Sequence, residues 1–262
     1  MFPLFHFSLW LKGFPIKKAQ TEFDHIQNIA EEEYPQYIAH KRNEIVAFHL
    51  NHNTSYRALV GNANPKIWEA LPVMTKKDFQ KPLEERLSEG YTTKTIYVNK
   101  TSGSSGDPFI FAKDKFSHAL TWVNIMARFG WFGIDFNQSL QARFYGIPLD
   151  FIGNSKERLK DFLSHRYRFS IFDLSDKVLE DVLLQFSRKR FDYINGYTSS
   201  IVLFAKFLQQ KNIVLTTVCP TLKCCVVTSE MRFDNDKILL ETQFGVPVVN
   251  EYGASELDLI AF

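Results

Sequence analysis

Long apolar runs, a paired set of cysteines, internal repeats, low-complexity tracts and a large excess of one charge are all missing from this chain of 262 residues. The apolar opening, MFPLFHFSLW, is far too short to span a bilayer and lacks the basic start and small-residue cleavage site of a secretory signal. With 31 Lys and Arg against 29 Asp and Glu, the formal net charge of +2 supplies no global attraction for nucleic acid or for an anionic membrane, and there is no acidic tail. Cysteine is confined to Cys219, Cys224 and Cys225, and an odd count in an otherwise cysteine-free chain argues against a secreted disulfide framework. The expected setting is reducing and cytoplasmic. What is present is a composition 45% hydrophobic with 25 phenylalanines, that of a globular chain with an aromatic-rich core. The length allows one large core or two modest ones.

Residues 21–58 are polar and helix-prone, with apolar positions at Phe23, Ile26 and Ala30 and then at Ile45, Phe48 and Leu50. Pro35 interrupts them and is expected to kink or end a helix. After the loop residues GNANP, Thr75 and Asp78 have the spacing of a capped helix start. A helical segment over 1–90, packed on the core, and an α/β unit over 91–262 are therefore expected. In the latter, TKTIYVN and FIFA read as strands joined by a Gly/Ser turn, and a helix follows with Phe116, Leu120, Val123 and Ala127 on one face. QARFYG, RFSIFD, DYING, KCCVVT and VPVVN are further strands, separated by helices, one of them opened by Ser175. Strand and helix in alternation predict an α/β fold, a mostly parallel sheet flanked by helices, with ligands at the carboxyl ends of the strands.

Three polar stretches fall at such ends. Thr101-Ser102-Gly103-Ser104-Ser105-Gly106-Asp107-Pro108 offers many free backbone N–H groups, four hydroxyls and two glycines that let the backbone approach a ligand, so it can wrap a polyphosphate. It is neither a Walker A loop nor a nucleophile elbow. Asn250-Glu251-Tyr252-Gly253-Ala254-Ser255-Glu256 follows VPVV and brings a ring, a hydroxyl and two carboxylates into one turn, and a carboxylate beside phosphates is a natural magnesium ligand. Thr228-Ser229-Glu230 ends the strand KCCVV. Each in isolation reads best as an ordinary connector or polar turn.

Together, in order, these stretches resemble the motifs of the adenylate-forming superfamily, and within it the phenylacetate-CoA ligase-like branch that includes capsular polysaccharide biosynthesis proteins. The resemblance runs from LPVMTKKDF through TSGSSGDP, INGYTSSI and VVTSEM to VNEYGASE. It implies the large N-terminal domain of such enzymes, incomplete at its C-terminus, and a reaction in which ATP and a small carboxylic acid give an acyl-adenylate and pyrophosphate, with coenzyme A as acceptor. By the same resemblance, Thr101, Ser102, Ser104 and Ser105, with the backbone at Gly103 and Gly106, hold the β- and γ-phosphates. Phe109 stands where many members have lysine. Tyr252 and Gly253 belong to the adenine-binding motif, Ser255 lies near the α-phosphate, and Glu256 binds Mg2+. Ser229 and Glu230 line the nucleotide pocket, and Tyr197 borders the acyl pocket. The chain stops six residues after Glu256, so an N-terminal fragment with little activity alone is expected. Its terminal Leu257, Leu259, Ile260 and Phe262 would form an apolar edge that invites a homodimer.

The competing class is a non-catalytic ATP- or AMP-binding protein of the same fold. Cys219, Cys224 and Cys225 read as buried thiols rather than zinc ligands, because adjacent strand residues face opposite ways and no CxxC exists. His49 and His52 lack a further ligand for a metal. The basic stretches 156–168 and 188–190 read as solvated helix faces.

Overall fold

The structure is a computed structural model that describes residues 3–101, 108–146, 151–170 and 172–262. The chain divides into two units, one of Gly13–Val123 and one of Met1–Lys12 with Asn124–Phe262. In chain order, α1 (Leu4–Leu11) belongs to the second unit, and α2 (Ile16–Gln27), α3 (Tyr34–His52), α4 (Thr54–Val60), a 3-10 turn (Trp68–Ala70), α5 (Leu83–Arg86), β1 (Ile96–Lys100) and β2 (Ile110–Asp114) build the first. The boundary falls inside α6 (Lys115–Gly130). There follow β3 (Gln141–Phe144), α7 (Phe151–Leu163), β4 (Arg166–Phe169), α8 (Asp176–Arg188), β5 (Tyr193–Tyr197) and α9 (Thr198–Gln210). The chain then forms α10 (Leu215–Val218), β6 (Cys224–Thr228), α11 (Asp234–Phe244), β7 (Val248–Ala254) and β8 (Asp258–Ala261). Among the described residues no helix is long and apolar enough to cross a membrane.

In the Gly13–Val123 unit, Pro35 sits in the first turn of α3 and begins that helix rather than kinking or ending one. Its missing N–H is harmless there, since the first turn has no intrahelical acceptor for it. Thr75 and Asp78 make the expected capping contact, with Asp78 Oδ2 accepting from the Thr75 N–H at 2.7 Å and from its hydroxyl at 2.8 Å. No helix follows, only a turn over 76–79. Pro82 accounts for the difference, because the residue before a proline is driven out of the helical region. β1 and β2 pair antiparallel from Ile96↔Asp114 to Lys100↔Ile110. The hairpin is closed by the Thr101 N–H on Phe109 O and the Phe109 N–H on Thr101 Oγ1, both 2.9 Å. Ser102, Gly103, Ser104, Ser105 and Gly106 lie outside the described residues.

The other unit is built on a six-stranded sheet in the order β4-β3-β5-β6-β7-β8. Every pair is parallel except β7 with β8. Alternate residues of β4, β3, β5 and β6 turn Phe169, Phe144, Ile194, Cys225 and Val227 to one face, all part of the buried core. Against them pack α8 through Leu179, Val182 and Phe186, α9 through Ile201 and Phe204, and α11 through Leu240 and Phe244. Phe204 is wholly buried, its ring 5.8 Å from Phe144, 5.6 Å from Phe186 and 6.1 Å from Phe244. β3 and β5 approach so closely that any side chain at Gly196 would collide with the Phe144 carbonyl and Cβ. The opposite face receives α7, tied to β4 by ion pairs, and the end of α6, whose Phe129 ring meets Tyr193 at 5.7 Å. α1 joins this unit by stacking Phe5 on Phe136 at 5.2 Å.

Two strands differ from the sequence reading. RFSIFD was expected whole as a strand, but β4 starts at Arg166, opposite Gln141, and ends at Phe169, because Asp173 Oδ1 accepts from the Ser175 N–H in the turn that opens α8. β7 runs through Ala254, so most of the motif expected in a turn is strand, zipped to β8. β8 does form an edge, with Leu257 and Ile260 exposed, whereas Phe262 packs on Phe129 at 4.9 Å. Truncating this central ring, Phe204→Ala, is expected to cost about 3–5 kcal/mol. A urea titration followed by circular dichroism should show the fall in midpoint.

Candidate functional site

The period of two that fills one sheet face with phenylalanine and valine fills the other with polar groups. Arg166 and Arg168 of β4, Gln141 and Arg143 of β3 with Tyr145 just beyond, Tyr193, Asn195 and Tyr197 of β5, Thr228 of β6 and Glu251 of β7 share that face. The register places Tyr197 beside Thr228 and Thr228 beside Glu251, so the carboxyl ends of three neighbouring strands converge. Side-chain bonds cross the strands. Gln141 Nε2 donates to Asn195 Oδ1 at 3.3 Å, and Asn195 Nδ2 donates to Val226 O at 3.3 Å. The Tyr145 and Tyr197 rings lie 4.9 Å apart.

The charges on this face are unequal in their partners. Arg168 is fully engaged, donating from Nε and Nη2 to Asp161 at 2.6 and 2.9 Å and from Nη2 to Glu157 at 2.9 Å, which pins α7 to β4. Arg143 and Arg166 form no ion pair among the described residues, and the Nε of each is enclosed without a hydrogen-bond partner. Arg143 does donate from Nη1 to Gln141 Oε1 at 3.3 Å and lies over the Tyr145 ring at 4.0 Å. Burial, and secondarily the like charge of Arg166, pushes its pKa down to about 10. Burial likewise pushes the Tyr145 phenol up to about 12. The Glu251 carboxyl is raised by burial, against the pull of a hydrogen bond with Thr228 and the charge of Arg143. A buried cation without a counter-ion is costly, so an anion arriving beside Arg143 would relieve a penalty built into the fold.

The residues singled out in the sequence fall around this edge to different degrees. Tyr197 is half-buried at the end of β5. Ser229, exposed just past β6, has φ 68°, a left-handed conformation uncommon for serine. Glu230 turns its carboxylate to the start of α9, where Oε2 accepts from the Ser199 N–H at 2.7 Å, and its backbone carbonyl takes the Thr198 hydroxyl at 3.3 Å. That anion complements the positive end of the helix, so one of its oxygens is already committed. Tyr252 presents a 62% exposed side chain. Gly253 is required by packing, because a Cβ would collide with the Asp258 carbonyl across the β7–β8 pair. Ser255 and Glu256 are exposed in the turn closed by the Leu257 N–H on Ala254 O at 3.1 Å. Thr101 belongs to the other unit.

Arg143 and Tyr145 were not singled out in the sequence, although a signal existed. Gln141, Arg143 and Tyr145 alternate at the same period as Arg166 and Arg168 and as Tyr193, Asn195 and Tyr197. The three cysteines are free and buried in the unit, and burial pushes the Cys224 thiol up to about 12.

With this architecture in hand, the fold is that of the large N-terminal domain of adenylate-forming enzymes. The likeness is to crystal structures of 2-hydroxyisobutyryl-CoA ligase. For an open conformation in complex with 2-HIB-AMP and CoA, the TM-score is 0.61 with 15% identity, covering 86% of this chain and 55% of that one. For the complex in the thioesterification state the TM-score is 0.61 with 16% identity, covering 87% of this chain and 50% of that one. The chain therefore spans about half the length of these ligases. No protein-family model matches the sequence, and no curated protein matches it.

Glu251 supplies a test of the buried edge. A carboxyl raised above its ordinary 4.5 costs the folded state nothing while protonated and progressively more as pH rises through its folded value. Glu251→Gln is expected to be more stable than the parent near neutral pH, with the gap closing as pH falls toward 4.5, as thermal melts across that range would show.

Proposed function

We propose that this chain is the nucleotide-binding portion of an ATP-dependent acid ligase, converting a small carboxylic acid to its acyl-adenylate for transfer to coenzyme A. The single observation that carries the reading is the convergence of Tyr197, Thr228 and Glu251 at the carboxyl edge of a parallel sheet, in a fold shared with a CoA ligase. Ligands of open parallel sheets lie at that edge. The order of TSGSSGDP, INGYTSSI, VVTSEM and VNEYGASE supports the phenylacetate-CoA ligase-like branch.

On this reading, the exposed Tyr252 ring stacks on adenine and Ser255 bonds the α-phosphate. Thr101 and the loop after it hold the leaving pyrophosphate by hydroxyl and amide donors, which stabilise its charge without a fixed cation. Glu256, exposed and without a described ion pair, would hold a Mg2+ ion brought by ATP, which would neutralise phosphate charge there. Arg143 and Arg166 provide positive potential for the anionic reactants, and Tyr145 with Tyr197 borders the acid. The acid is a poor electrophile, and the mixed anhydride with AMP gives it a good leaving group, so the protein's task is to orient the carboxylate in line with the α-phosphorus.

The same chemistry would be served by a reducing compartment, in keeping with three unpaired thiols. The exposed edge at β8 offers a second copy a surface on which to pair.

Isothermal titration with ATP and Mg2+ is expected to show saturable binding, weakened about tenfold by Tyr252→Ala and by Glu256→Gln. Absence of binding at millimolar ATP in a folded sample would end the proposal. Acid-dependent pyrophosphate exchange separates a ligase from a protein that only binds the nucleotide.

A further inference from the structure

Within the Gly13–Val123 unit lies a cavity of about 630 Å3, within the range of small-molecule sites. Its walls come from α3, α4, the segment 74–91 and β2, and none of these carries a role in the adenylation reading. Phe48, Phe79, Tyr91 and Phe111 join aliphatic residues such as Leu59 and Leu87 to make it largely apolar.

One wall is polar and tied together by hydrogen bonds. Asn53 Oδ1 accepts from the Tyr56 N–H at 2.9 Å, which fixes the amide so that Nδ2 donates to Arg86 O at 2.9 Å and to Ser88 Oγ at 3.1 Å. Ser88 Oγ lies 3.2 Å from His49 Nδ1. The hydroxyl has one proton and two lone pairs, so while accepting from Asn53 it can still bond His49 Nδ1 in either ring tautomer. Burial lowers the His49 pKa and so favours the neutral ring. His49 Nε2 has no hydrogen-bond partner among the described residues, and His49 lines the cavity.

The charges of the lining also favour an anion. Lys81, Arg86 and Lys113 face Asp78 and Asp114. Both acids are occupied, Asp78 by the Thr75 N–H and hydroxyl and Asp114 by the Ser117 N–H at 2.8 Å. Arg86 donates from Nε to Lys81 O at 2.9 Å and from Nη2 to Ile110 O at 2.7 Å. These bonds fix the guanidinium in the wall, and it forms no ion pair among the described residues.

We propose that this cavity is a binding site for a small amphiphilic carboxylate, its apolar body held among the phenylalanine rings and its carboxylate at the wall running from His49 to Arg86. The site is separate from the adenylation reading and does not rest on it. Decanoate, decanol and decylamine are suitable probes for the full chain, because they share one apolar body and differ in the head. Titration calorimetry is expected to show one saturable decanoate site with a Kd of about 100 µM or tighter, with decanol about tenfold weaker and decylamine weaker still. Ala58→Trp, which fills the cavity from an exposed position, should weaken decanoate about tenfold while the circular dichroism spectrum is retained. Arg86→Met should bring decanoate and decanol to equal affinity, and His49→Gln, which keeps an N–H donor, should weaken decanoate less than His49→Ala. Non-saturable uptake, a preference for decylamine, or decanoate binding that ignores Ala58→Trp would each overturn the proposal.

Discussion

The structure depends on strand register. Five parallel strands are held so that a step of one residue would exchange their two faces, and the faces are chemically opposite. One presents Phe144, Phe169, Ile194 and Val227 to three helices; the other presents Arg143, Arg166, Asn195 and Tyr197. A slip of one position in β3 alone would push Arg143 among phenylalanines and expose Phe144. Burial of the aromatic side therefore sets the position of every polar group at the carboxyl edge. Gly196 belongs to the same constraint, because only a residue without Cβ lets β5 lie this close to Phe144.

The polar face is incompletely neutralised, and this gives it a direction. Arg168 has two carboxylates and is structural, fastening α7. Arg143 and Arg166 have none within ion-pairing distance among the described residues, while the acid on the same face, Glu251, is driven toward its neutral form by burial. Folding energy is spent holding positive charge in a poorly solvated place where an anionic reactant can restore the balance. The Gly13–Val123 unit repeats the theme on a smaller scale, with Arg86 fixed in the wall of a largely apolar cavity.

Much of the fold was legible because alternating strand and helix patterns persist over the second half of the chain. The strands QARFYG, DYING and KCCVVT and the amphipathic run of α8 all lie where their periodicity put them. The departures have local causes. Pro35 starts a helix because it falls in a first turn, Pro82 prevents one after the Thr75–Asp78 contact, and NEYGA stays extended because β8 folds back on it. The site was only partly legible. Polar strand ends at Tyr197, Ser229, Glu230 and Tyr252 were visible as strings of residues, but Arg143 and Tyr145 sit inside a strand that reads as a core element. Parallel strands are expected to be apolar throughout, and that expectation conceals a polar stripe.

By itself, the sequence determined the α/β class, the succession of strands and helices along the chain and the polar character of the strand ends, because hydrophobic periodicity is local and survives without knowledge of partners. Only the tertiary structure decided which ends meet, that Glu230 spends an oxygen on α9, that Gly253 answers to Asp258, and that His49, Ser88 and Arg86 border one cavity. Those relations join residues far apart in the chain, His49 and Ser88 by 39 positions, and they are set by register and packing, quantities that no short window of residues contains.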